Sequence, residues 1–151
     1  MIRNILIITG LLLFLGAGYF LKVSDLMAPD IATEIVVSDC DLRQGACPIE
    51  LQGSKWQFLI SPQNFDVLQP LDISLKKLAE NQVALDSVHV QFEGINMDMG
   101  YNLVKLRPVS ERVFEAKGML PECTAETMYW LVHLIIVSGD NQTDFQFRLQ
   151  T

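Results

Sequence analysis

The stretch SVHVQFE, residues 87 to 93, puts Val88, Val90 and Phe92 on one face and Ser87, His89 and Gln91 on the other. That two-residue period belongs to a half-buried β-strand, because successive side chains in a strand leave on opposite sides. Short runs of the same kind recur along the chain. They are IATEIVVS (31 to 38), KWQFLIS (55 to 61), LDISLKK (71 to 77), NLVKLR (102 to 107), RVFEAK (112 to 117), MYWLVHLIIVS (128 to 138) and DFQFRLQ (144 to 150). Turn residues in SPQN (61 to 64), RPVSE (107 to 111), LPE (120 to 122) and SGDNQ (138 to 142) punctuate them. Short strands at this spacing predict an all-β domain, an immunoglobulin-like antiparallel β-sandwich. KKLAENQVALD, residues 76 to 86, has room for one helical turn.

The N-terminus follows a different rule. After Arg3 the chain is uncharged and apolar from Ile5 to Leu21, a run of about 25 Å as a helix, near the lower limit for crossing a bilayer. A cleaved signal peptide needs a small-residue site, and the GAG at residues 16 to 18 is a poor one. Residues 1–22 are therefore expected to be a transmembrane signal anchor with its N-terminus in the cytoplasm. Residues 23–30 would form a linker and residues 31–151 one exported domain, a size that supports a single core.

The chain has 18 acidic against 11 basic residues. Nucleic acid and anionic lipid headgroups both require clustered positive charge, so neither is an expected partner. No nucleophile stands at a suggestive spacing from a base, and no glycine loop suits a phosphate, so no enzymatic activity is expected.

Export exposes thiols to oxidising conditions. Cys40 and Cys47 flank a turn-forming RQG in DCDLRQGACP, in what reads as a hairpin, and a small disulfide loop is sterically plausible there. Cys123 is then left as a free thiol; pairings of Cys123 with Cys40 or Cys47 would staple distant strands and stay open. The spacing is not the CxxC of a dithiol oxidoreductase, and two histidines with three cysteines make a poor tetrahedral zinc set.

Methionine placement is the most specific chemical signal. Four of the six methionines fall between residues 97 and 128, and GINMDMGYN (94 to 102) sets Met97 and Met99 two apart between glycines. Thioethers do not titrate and are soft donors, so in an oxidising compartment they suit Cu(I). In an extended segment both sulfurs would point to one side, with Met119 and Cys123 as further ligands if their loop lies alongside. The bland reading has these methionines filling the end of the core. In the 128–138 run both faces are apolar, which predicts a central strand with its second face covered, and His133 would be a weak inward-facing supplement to the metal set. His89, on the polar side of its strand, is expected to be solvated.

The runs VQFEGINMDMGYN, VFEAKGMLPEC and MYWLVHLII resemble a family of small membrane-anchored bacterial proteins of unassigned activity, in which F-x-G-x-N-M-x-M-G-Y-N precedes G-x-L-P-x-C and a Trp-containing strand. More distantly the Met-x-Met-Gly segment is similar to the YtkA-like immunoglobulin-like domain of exported bacterial proteins. The resemblance covers residues 86 to 149. It implies a periplasmic domain anchored in the bacterial inner membrane, working near cytochrome oxidase assembly and copper supply. A copper chaperone or a respiratory oxidase subunit would be its partner. The YtkA-like pattern often carries His after Met-Gly, where this chain has Tyr101. The expected function is Cu(I) binding through Met97, Met99, Met119 and Cys123. The alternative is a metal-free interaction module that uses the Met-x-Met segment and the Trp130 strand as an apolar contact surface.

Overall fold

The computed structural model describes residues 32–78, 83–122 and 127–151. The expected anchor and linker, residues 79–82 of the segment 76 to 86 expected to have room for a helical turn, and Cys123 lie outside the described residues. Residues Ile31–Thr151 form one compact unit. Its nine strands are β1 (Ala32–Ser38), β2 (Cys47–Leu51), β3 (Ser54–Ser61), β4 (Pro70–Lys77), β5 (Ser87–Gly94), β6 (Asn102–Ser110), β7 (Val113–Met119), β8 (Tyr129–Ser138) and β9 (Asn141–Gln150). No helix among the described residues is long and apolar enough to cross a membrane.

The strands make one curled sheet in the order β1-β9-β8-β5-β6-β7-β4-β3-β2. The curl has a local cause in β6, which pairs with β5 through Asn102–Leu106 and with β7 through Arg107, Pro108 and Ser110. The register shifts between Pro108 and Ser110. Proline removes a ladder donor and a bulge bends the strand, so β6 leaves one half of the sheet and enters the other. The two halves then face each other across the core, where the rings of Phe58 on β3 and Phe147 on β9 lie 5.4 Å apart.

Alternation accounts for the core. Val88, Val90 and Phe92 of β5 are fully buried, as are Trp130, Val132 and Leu134 of β8. Removing each such side chain from water contributes about 1.5–3 kcal/mol. β8 is central, between β5 and β9. Its other face is only half covered: Leu131, His133 and Ile135 are intermediate and Tyr129 is 46% exposed. His133 thus sits on the outer face, not inward, because it is out of phase with the bulky Trp130 series.

Three further expectations are corrected. A ninth strand, β2, was hidden in CPIEL; it pairs with β3 through a tight turn at Gln52 and Gly53, both with positive φ. Cys40 and Cys47 are disulfide-bonded, but not across a hairpin, since β1 and β2 stand at opposite ends of the strand order. The sheet is also not antiparallel throughout, for β1 runs parallel to β9, from Ala32 opposite Asn141 to Ser38 opposite Phe147.

Candidate functional site

The methionine segment lies at the end of the sheet where β5 hands over to β6. It is a loop, not a strand, so the period-two argument for Met97 and Met99 does not apply to it. Asp98 Oδ1 accepts the Gly100 N–H at 2.8 Å, and Gly100 has φ +69°. This side-chain-closed turn, completed by a left-handed residue, reverses the chain. Asn96 fixes the loop from both sides: its Nδ2 donates to Thr127 O at 2.9 Å, and its Oδ1 accepts from the Tyr129 N–H at 3.0 Å. The Ile95 N–H donates to Tyr129 O at 2.7 Å, which extends the β5–β8 ladder one step.

Gly94 is where the loop closes down. A Cβ at this position would collide with Met97 O and would stand 3.0 Å from Met99 Cγ and 3.1 Å from Met128 Cε. Met99 and Met128 therefore bring their side chains to the same backbone position, and only a residue without a side chain leaves them room. Met128 is 3% exposed and Met99 packs partly buried against the core. Met97, by contrast, is 36% exposed.

Met119 ends β7 nearby. Asn102 Nδ2 donates to Met119 O at 3.1 Å, tying the start of β6 to the end of β7. Ala116 and Gly118 turn toward the core side of β7 while Glu115, Lys117 and Met119 turn out, and Met119 is 48% exposed. Of the four expected ligands, then, Met97 and Met99 share a loop, and Met119 sits beside it with an outward side chain. Cys123 falls between the described residues Glu122 and Thr127. The partner that sequence reasoning missed is Met128. Its phase with Trp130 placed it on the same face of that run, and nothing in its own surroundings announced that it would approach Met99.

His133 is engaged elsewhere. Its Nδ1 lies 2.9 Å from Asp144 Oδ2 and its Nε2 3.0 Å from Glu93 Oε2, so both ring nitrogens face carboxylates and neither is free for a metal. Gln146 Nε2 also donates to Asp144 Oδ2, at 2.9 Å. The cluster spans β5, β8 and β9 and braces the outer face. His89, in register with Lys105 on β6, is half-buried rather than solvated; desolvation, then the Lys105 charge, holds its pKa below the usual imidazole value.

No family model, curated protein or solved structure matches this chain. The chemistry of the site therefore has to carry the functional reading. Among the described residues no three His, Cys, Asp or Glu side chains group as metal ligands. Thioethers are the donors that this end of the sheet gathers.

Proposed function

We propose that this protein is an inner-membrane-anchored periplasmic protein whose domain binds Cu(I) at the thioether end of the sheet. The observation that carries the reading is the approach of Met99 and Met128 to Gly94, with Met97 exposed on the same loop. Two or three thioethers make a soft, uncharged donor set that holds Cu(I) without titrating, and an exposed Met97 leaves a route for the ion to enter and leave. Met119 and Cys123 are the supplementary ligands. Cys123 would add a thiolate and strengthen the site. In this reading the two halves of the sheet form an immunoglobulin-like sandwich, and the partner is a copper chaperone or a respiratory oxidase subunit. The competing reading is a metal-free interaction module that uses the Met-x-Met segment and the Trp130 strand; Trp130 itself is fully buried, with its Nε1 donating to Thr151 Oγ1 at 3.0 Å, so such a surface would be made by the loop and by the outer face of β8 around Tyr129 and Leu131.

The test is Cu(I) titration against a competing chelator, with wild type, the Met97→Leu/Met99→Leu variant and the Met128→Leu variant. Leucine keeps much of the bulk, so stability should change by no more than about 1–2 kcal/mol. Affinity should fall by about tenfold or more in both variants, since each removes soft donors. Equal affinity in wild type and the double variant would remove the metal reading.

A further inference from the structure

The sheet has two edges, and both border the same groove. Among the described residues β1 pairs with β9 alone and β2 with β3 alone, so on each of them, Thr33 aside, one row of backbone N–H and C=O groups is not used by a neighbouring strand. The curl brings these edges to either side of a groove of about 470 Å³, lined by Glu34 and Val36 of β1 and by Glu50 and Leu51 of β2. It continues into a narrower part of about 220 Å³ that shares Val36 and Glu50 and adds Ile49 and Phe145. The Cys40–Cys47 disulfide, with a Cα–Cα distance of 5.8 Å, ties the end of β1 to the start of β2 and so closes the narrow end. Pro48, which lines the narrow part, has no N–H to offer, so the ladder is most available toward the open end.

We propose that this groove accepts an extended segment of another protein as a tenth strand, one that alternates apolar residues with Lys or Arg. The sense of the strands admits one. β1 is parallel to β9, and every later step along the sheet to β2 is antiparallel, which leaves β1 and β2 running in opposite directions. An inserted strand would be antiparallel to one and parallel to the other. With β2 five residues long, the engaged stretch is about five residues, or roughly 17 Å. Main-chain hydrogen bonds supply affinity in this mode, and pockets for alternate side chains supply specificity.

The lining selects the side chains. Val36, Ile49, Leu51 and Phe145 offer an apolar floor. Glu34 and Glu50 are exposed on the two sides, and neither is in an ion pair among the described residues. This chain's own residues 23–31, VSDLMAPDI, carry Asp25 and Asp30 and no Lys or Arg, so they repeat the charge of the rim and do not complement it. A basic segment from a partner does. The proposal is independent of copper.

The experiment uses the full chain in neutral detergent micelles and a fluorescent peptide of about nine residues alternating Val and Lys, long enough to pass the whole edge. Its controls are a peptide of the same composition in block order and an alternating Val/Glu peptide. The alternating Val/Lys peptide should bind at least about tenfold tighter than either control, and the Glu34→Lys/Glu50→Lys variant should reverse the preference toward Val/Glu. Hydrogen exchange should show amides of β1 and β2 slowed by the peptide, with β8 unchanged. Equal binding of the block peptide would mean unspecific charge attraction and would overturn the proposal. Binding without protection of both edges would do the same, and so would β1 and β2 amides already as slow as those of β8 in the peptide-free protein.

Discussion

Replacing Gly94 with alanine tests the closure on which the thioether site depends. Gly94 does not have the left-handed backbone that would make any side chain strained there; the obstacle is space. Of the three atoms a Cβ would meet, Met99 Cγ at 3.0 Å and Met128 Cε at 3.1 Å belong to flexible side chains that can give way. The third is the backbone carbonyl of Met97, and it can move only if the loop moves. That loop is held by both arms of Asn96 and by the Asp98–Gly100 turn. Overpacking against a constrained neighbour costs about 1–3 kcal/mol, and for a domain of this size each kcal/mol lowers Tm by roughly 2–8 °C. Urea unfolding of the full chain in detergent should therefore show a lower midpoint with an unchanged slope. Displacing the loop should also weaken Cu(I) binding. A Gly94→Ala protein as stable as wild type would mean that the close approach does not exist, and the convergence of Met99 and Met128 would fall with it.

Three other outcomes are expected. Without reductant, thiol labelling should modify Cys123 alone, and replacing Cys40 and Cys47 together with serine should cost about 2–3 kcal/mol for a closed loop of this short separation; labelling of Cys40 or Cys47 would refute the pairing. His133→Leu should destabilise by about 1–3 kcal/mol in thermal unfolding, because Asp144, only 8% exposed, loses a hydrogen-bond partner while its Oδ1 already has none; no loss would mean that the cluster contributes nothing. His89 has its pKa held below 6.5 by burial and then Lys105, so the unfolded chain binds the extra proton first and wild type should lose stability as pH falls below about 6.5. His89→Gln should remove that part of the loss, and identical pH profiles of unfolding for the two proteins would count against the assignment.

Where local periodicity met a single buried face, the strands were legible in the amino-acid order itself. Val88, Val90 and Phe92 declared β5 in this way, whereas the 128–138 run, apolar on both faces, declared a strand but not which of its faces is the inner one. A two-residue period is a property of the chain itself, and a one-residue slip would expose the whole apolar set, so register and face are decided together. The same logic failed at CPIEL, a short run that carries Pro48. An edge strand tolerates proline because one side of its ladder has no partner, and whether a strand lies at an edge is not a local property. Cys40 and Cys47 were near enough in sequence for their pairing to be readable. That the strands they join stand at opposite ends of the sheet was not, since strand order depends on contacts among residues far apart in the chain.

For the thioether site, sequence alone determined the donor chemistry: methionines collected between residues 97 and 128, beside Gly94 and Gly100. Which of these side chains converge was decided only in three dimensions. Met99 and Met128 are separated by the β6–β7 excursion and come together because β5 and β8 are neighbours in the sheet and Gly94 leaves a gap between them. His133 went the other way, from a weak metal ligand to a brace between Glu93 and Asp144. The composition of a site can be written in one segment, but its membership depends on which distant strands the core packs side by side, and that is a property of the folded sheet.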